Sequence, residues 1–528
     1  MSKLRLLIST SLRNQLSLAH GARRSWPKIF WVLAITGLVA LGMHPVFSFL
    51  WEVAGDLQQA GFLDLLLLPA VLLSSVVSFL TGIYVAPGQL FMCTDYDLLL
   101  SLPLRTSTVL MSKLSSQLLS NLMFTLLLSL PLLMIYGLKS GAGPVFYLFA
   151  LVSLPFIPLV PLTLAALLAA IIARIAARFE RSNTVLTLLT FALLVAPMIG
   201  YGLSKDSRPS LGASLDDALR PIETWYPPAG LYLDALRAPS LVSLILFMVV
   251  SAGVFILFCL VFARFFKAIY SSLSASPARA DYAFKELAAA TVPQALYIRE
   301  LRGCLFRPAY VLNTFACMVM LMITALGAAC LGDARLAALK SLFPKAWFVP
   351  LLMLLAIILT ITATTTSSSI SLEGRSLWIL KSAPISPLSI FKAKLFLNLG
   401  VTLPCLAITS ALLAIGLRLD RLHWLLVLAV PSAYALFIAM AGLLINLQFT
   451  LLEGKNPTAV VKQSLSVLLT FLVGLVATGM PISIYEYWLA GRVAYELYST
   501  LVGAVLLVMT ALLWRVLKIK GVVWFAKL

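Results

Sequence analysis

Long apolar runs recur along this chain, separated by short polar stretches, and many reach the 18 or so residues that carry a helix across roughly 30 Å of hydrocarbon. The pattern predicts twelve helical spans, at about 29–50, 63–86, 107–138, 145–173, 184–203, 240–266, 309–332, 346–370, 391–417, 422–451, 461–485 and 497–514. The alternating ten-residue segments of a membrane barrel are missing, so a helical bundle is the remaining way to satisfy the backbone in lipid. Two further stretches are amphipathic. Within 1–28, Leu4, Ile8, Leu12 and Leu16 repeat every four positions, with Arg5 and Arg13 on other faces. Within 291–307, Thr291 and Gln294 have capping-box spacing, and Arg299, Arg302 and Arg307 follow. Both read as helices at the headgroup boundary, although an ordinary basic flank explains the first as well.

The polar interruptions repeat. Glu373-Gly-Arg-Ser-Leu-Trp-Ile-Leu-Lys-Ser-Ala-Pro leads into Lys394, and a diverged copy runs from Asp95 to Lys113. In each copy a lysine follows a proline by ten positions (Pro103 to Lys113, Pro384 to Lys394), and serine precedes that proline by two. Leu12-Arg13 pairs with Ile298-Arg299, and Leu188-Leu-Thr-Phe191 with Leu468-Leu-Thr-Phe471, giving ordered offsets of 286, 281 and 280. The expected fold is therefore an all-α polytopic membrane bundle of about twelve helices. It comprises a first six-span half (1–270), a cytoplasmic linker (271–290) and a second six-span half (291–528), as parallel repeats.

Composition strengthens this picture. Apolar residues make up 61% of the chain and charged ones 11%, which excludes an ordinary soluble domain. The net charge of +19 follows the loops: with the N-terminus inside, 28 of the 39 Lys and Arg fall on the inner side, against 8 of the 20 acids. That distribution sets both termini in the cytoplasm and accounts for the charge without nucleic acid; the expected location is a bacterial inner membrane. The basic leader before Ile29 lacks a small-residue cleavage site, so the first span is expected to be retained. Six scattered cysteines show no Cys-x-x-Cys pair and read as small hydrophobes.

Chemistry-bearing motifs are sparse. No Gly-x4-Gly-Lys-Ser/Thr loop, Gly-x-Ser-x-Gly elbow or His-Glu-x-x-His helix occurs. His20, His44 and His423 are far apart, and no metal cluster is expected. Charges fall near span ends, with Asp64 the most embedded. Uncharged polar residues are dense at Thr360–Ser371, including Thr362 and Thr365, and recur at Ser78, Thr81, Asn121, Asn398 and Asn446. These either line a water-accessible pathway or bond to nearby carbonyls and permit close packing. The outer loop 204–239 either holds short helices dipping into the leaflet or is a mobile surface loop.

The Glu373–Lys394 stretch resembles the cytoplasmic signature between the second and third spans of type-2 ABC transporter permeases, the exporter family. Glu373, Gly374, Arg375, Leu377, Leu380, Pro384, Ile385, Ser386 and Lys394 carry the resemblance. It implies the membrane subunit of an exporter, forming the pathway and lacking enzyme activity of its own. ATP and Mg would sit on separate cytoplasmic ATPase subunits, two copies or two related chains. Those subunits would dock on coupling helices built from Asp95, Asp97, Pro103 and Lys113 and from Glu373, Arg375, Leu377, Trp378, Pro384 and Lys394. The first copy departs from the pattern, with Met92 and Thr94 where Glu373 and Arg375 would align. Other readings are a secondary transporter of two parallel repeats and an ATPase-bound membrane scaffold.

Overall fold

The computed structural model describes residues 50–59, 61–90, 101–176, 226–237, 240–274, 291–305, 308–329, 348–452 and 464–528, with a few isolated positions besides. Among these residues every regular element is helical, and eight helices are long and apolar enough to cross a membrane. They lie at Leu63–Ile83, Thr106–Ser140, Pro144–Ile175, Leu241–Ser271, Pro387–Leu417, Arg421–Gln448, Leu465–Leu489 and Tyr495–Lys527. The spans expected at 29–50 and 184–203 lie almost wholly outside the described residues. The helices fall into two compact units that divide between residues 278 and 279.

The first unit is built from α1 (Leu67–Leu90), α2 (Thr106–Ser140), α3 (Pro144–Ser153), α4 (Leu159–Ala176), α5 (Pro227–Arg237) and α6 (Leu241–Ser274). Its core joins Leu67, Leu133, Phe146, Tyr232, Leu236 and Phe247. Pro227 and Pro228 open α5, where a missing N–H costs nothing, and Tyr232 and Leu233 are then fully buried. The stretch 204–239, expected as an outer loop, thus includes a helix packed into the unit. Asp64 accepts a hydrogen bond from Tyr136 at 2.9 Å and lies 3.7 Å from Arg237 Nε. Asp64, expected to be the most embedded acid, is 40% exposed and partnered.

The second unit contains α7 (Val292–Leu305), α8 (Pro308–Ala329), α9 (Phe348–Thr362), α10 (Leu377–Ser382), α11 (Pro387–Leu417), α12 (Arg421–Gln448), α13 (Leu465–Ile484), α14 (Tyr495–Val516) and α15 (Val522–Lys527). Close approaches are made through glycine: a Cβ on Gly416 of α11 would collide with the Ala329 backbone of α8. The span expected at 346–370 is corrected. Its helix stops at Thr362, and 15 residues at 1.5 Å each reach only about 22 Å. Residues 363–373 continue as buried turns, so their peptide groups must find partners other than a helical ladder.

Candidate functional site

Within 363–373, local carbonyls serve the N–H groups of Ala363, Ser368, Ser369, Leu372 and Glu373, and asparagines on two neighbouring helices serve those of Thr365, Ile370 and Ser371. Asn398 Oδ1 on α11 accepts from the Thr365 N–H and hydroxyl, both at 3.2 Å. Asn446 Oδ1 on α12 accepts from the N–H groups of Ile370 and Ser371 at 2.8 and 3.2 Å. The same amide donates through Nδ2 to Ser371 Oγ and to Ser466 Oγ on α13. Ser466 in turn donates to Ser367 O at 2.7 Å. A side chain on Gly442 would meet Thr366 Oγ1 at 3.0 Å and Ser367 N at 3.2 Å, so glycine there lets α12 lie against bare backbone. Most hydroxyls bond locally, as Thr360 to Ala356 O and Ser369 to Thr366 O.

Where these turns end, four charges meet. Lys394 sits two turns into α11 with its side chain fully buried. Its Nζ donates to Glu300 Oε1 at 2.9 Å, to Glu373 Oε1 at 2.9 Å and to Ser369 O at 3.2 Å, which uses all three protons. Arg299 closes the group with Nη2 2.7 Å from Glu373 Oε2 and Nη1 3.3 Å from Glu300 Oε1. Two acids and two bases balance, which a desolvated set requires. The network has a wet side, because Arg299 is 39% exposed and a cleft of about 110 Å³ opens beside Arg299, Glu300, Cys304 and Glu373.

Each charge is placed by a local cause. Gln294 Oε1 accepts the Thr291 N–H at 3.3 Å, the reciprocal half of a capping box, and fixes the start of α7. Leu296 and Cys304 bury the face of α7 that carries Glu300 inward. Gly374, at φ +52°, takes the left-handed conformation that turns the chain after Glu373. Ser386 caps α11 by accepting the Ser389 N–H, with Pro387 in the first turn.

Burial alone would push the Glu373 carboxyl up, but Lys394 and Arg299 outweigh it and hold it at about 2. Such a carboxyl stabilises the fold fully above its unfolded value near 4.5, and the contribution is lost as pH falls from there toward about 2. The shift corresponds to about 3 kcal/mol at most. We expect the melting temperature in detergent to be flat from pH 8 to 5 and to fall steeply below pH 4. In Glu373→Gln that part of the acid slope should disappear; an unchanged slope refutes the assignment.

The structure distributes the residues singled out from sequence unevenly. Glu373 and Lys394 join the network. Leu377 and Leu380 are buried in this chain's own core with Phe391 and Phe525, whose rings pack edge to face at 5.6 Å. Lys381 Nζ reaches Ala526 O at 3.4 Å, so α10 is clamped between α11 and α15. Trp378 and Ile379, at 66% and 49%, form its exposed face, and Pro384 is exposed. Arg375 lies in the 3-10 turn Gly374–Ser376, and its side chain, like Asp95 and Asp97, is outside what is described. Pro103 is exposed just before α2, and Lys113 is half-buried on it. Thr81 donates to Asn121 Oδ1 at 3.0 Å and Asn121 donates to Ser78 O at 3.4 Å, binding α1 to α2. Thr362 bonds back to Leu359 O. Asn446 was singled out only as a polar residue within a span, and Glu300, Arg299 and Ser466 were not candidate site residues. The Arg299-Glu300 pair on a basic amphipathic helix is the signal that could have flagged two of them.

Residues 45–513 match the model of a family described as "Putative ATP-binding cassette". The chain belongs to that family. No curated protein and no solved structure matches the chain. The family match overturns the resemblance to the type-2 exporter permeases and the function drawn from it, a permease subunit driven by separate ATPases. It equally overturns the two expectations that rested on that function: that the chain has no nucleotide chemistry of its own, and that ATP and Mg belong to a partner alone. The physical reason is one of coverage and of scope. The resemblance rested on the motif around Glu373–Lys394 and on the repeated six-span layout, whereas the match is to the sequence over residues 45–513, through both units. The missing Gly-x4-Gly-Lys-Ser/Thr loop excludes one phosphate cradle, while helix N-termini and backbone nests bind phosphate without that signature.

Proposed function

We propose that this chain is a membrane-embedded component of an ATP-driven transport system, in which the Arg299–Glu300–Glu373–Lys394 network passes movement of the surface helices α7 and α10 to the spans. The observation that carries the reading is Lys394. One buried ammonium ties α7, the turns at 363–373 and α11 together, so none of the three moves without breaking a desolvated ion pair. In this reading the end bearing α7 and α10 faces the cytoplasm of a bacterial inner membrane, as the excess of Lys and Arg on that side favours. The exposed Trp378 and Ile379 then offer a contact for a cytoplasmic component of the system.

The same reading takes the two units as parallel six-span repeats. It is supported by α2 and α11, which start at Thr106 and Pro387, 281 positions apart. The turns before them also agree, with Leu104 N–H donating to Leu102 O and Ile385 N–H to Ala383 O, both at 2.7 Å.

Spin labels at Ser382→Cys on α10 and Ile415→Cys near the far end of α11 test the reading in native membranes. Adding ATP and Mg should shift the label separation in the parent and leave it fixed in the Glu300→Gln/Glu373→Gln/Lys394→Met variant, which lacks the three buried charges. No shift in the parent, or the same shift in both, refutes it.

A further inference from the structure

The first unit holds a buried amide with nothing to bind. Gln117 on α2 is 1% exposed, and neither its Nε2 nor its Oε1 has a partner. Leaving a buried donor and acceptor unmet costs about 1–3 kcal/mol for each. Ser78 Oγ, on the adjoining face of α1, is also buried and unpartnered. Gln117 Nε2 lies 3.9 Å from where a Cβ on Gly82 would sit, so the amide faces α1 at Gly82.

Gly82 divides α1 into two parts of different strength. At Gly82, α1 is pressed against α4, where Ala165 Cβ stands 2.5 Å from the position a side chain would take. Beyond it the sequence is Ile83-Tyr-Val-Ala-Pro87-Gly88-Gln-Leu90. Three of those residues are β-branched or aromatic. Pro87 has no N–H for the Ile83 carbonyl, and Gly88 costs about 1 kcal/mol relative to alanine. Residues 83–90 are nonetheless helical here.

In the second unit the corresponding residues are not helical. At the offset of 281 that relates Lys113 to Lys394, Gln117 falls on Asn398 and residues 82–90 fall on 363–371. Asn398 is the amide that receives Thr365, in a segment that has left its helix after Thr362. One unit thus shows the broken helix with its amide occupied, and the other an intact but weak helix with its amide empty.

We infer that the first unit has a second state, in which α1 ends at Gly82, residues 83–90 leave the helix, and Gln117 takes their peptide groups as Asn398 takes Thr365. Gly82 is the pivot, because packing on α4 holds the helix up to that point. The two states differ at the segment that leads toward α2, which makes this end of α1 a movable element in the membrane.

Hydrogen exchange on the full chain in lipid nanodiscs tests this. Amides of 83–90 should exchange at least about 100-fold faster than those of 70–80. Gln117→Leu removes the receptor of the broken state and the orphan of the helical state, so it should slow exchange of 83–90 at least about tenfold. Gln117→Asn should keep the parent rate within a few-fold, since Asn398 does the same work one carbon shorter. Pro87→Ala restores the missing donor and should slow exchange independently of any packing change at position 117. Equal exchange in 83–90 and 70–80 of the parent, or unchanged or faster exchange in Gln117→Leu, overturns the proposal.

Discussion

Lys394→Met should destabilise the second unit by about 3–5 kcal/mol, the range observed when one partner of a buried ion set is removed. The loss exceeds that of the hydrogen bonds themselves. Glu300 and Glu373 approach the same Nζ from two sides at 2.9 Å, and without it they face each other with only the partly exposed Arg299 between them. Ser369 O loses its donor as well. The triple variant Lys394→Met/Glu300→Gln/Glu373→Gln removes the three buried charges and leaves only Arg299, which is 39% exposed and open to water, so it should recover most of the loss, to within about 1–2 kcal/mol of the parent. Thermal unfolding in detergent, followed by intrinsic tryptophan fluorescence, separates the two. If the single and triple variants melt together, the charges are not a coupled set. Arg299→Gln should cost less than either, because its guanidinium is 39% exposed and solvent already screens it.

The membrane class and eight of the spans were legible because a span is a local feature: length and hydropathy suffice, and no distant residue is needed. The short ninth helix shows where that stops. An apolar run that shades into Ser and Thr looks like the inner end of a span, since hydroxyls can bond back to their own helix. Whether the helix continues past Thr362 is decided by Asn446, Asn398 and Ser466, which lie 33 to 99 positions further along. The ion network is hidden for the same reason. Lys394 was legible as a marked residue from its place after Pro384, but its partner Glu300 is 94 positions away, and no spacing rule links them. Which way the six-residue helix α10 turns was equally hidden, and here Leu377 and Leu380 pack with Phe391 and Phe525. The amphipathic helix at 291–307 fared better, because its cap is a four-residue motif that the structure closes through Gln294.

The network and the polar turns form a single mechanical block. Lys394 bonds both to the carboxylates and to Ser369 O within the turns, and Asn398 lies one helical turn beyond it on α11. A force on α7 or α10 therefore reaches α12 and α13 through Asn446 and Ser466, not through apolar contact alone. Packed side chains slide past one another at small cost, whereas a desolvated peptide group that loses its only partner resists separation steeply.

Asn446→Leu should be the second most damaging single change, at about 2–5 kcal/mol. Leucine matches asparagine in size but leaves the buried N–H groups of Ile370 and Ser371 without an acceptor, at about 1–3 kcal/mol each. It also removes the donors to Ser371 Oγ and Ser466 Oγ, which tie α12 to the turns and to α13. Thr510→Val is the matched control: its hydroxyl is buried but bonds only to Leu506 O on its own helix, so the expected loss is below about 1 kcal/mol. Location should distinguish Asn446→Leu further. Hydrogen exchange should accelerate in 363–371 well before it does in the apolar body of α12, since the helix keeps its own ladder while the turns lose theirs. Uniform acceleration across the second unit would mean that Asn446 only fills space. A loss no larger than that of Thr510→Val would mean that the turns hold their shape without it, and the block would have to be drawn without its link to α12.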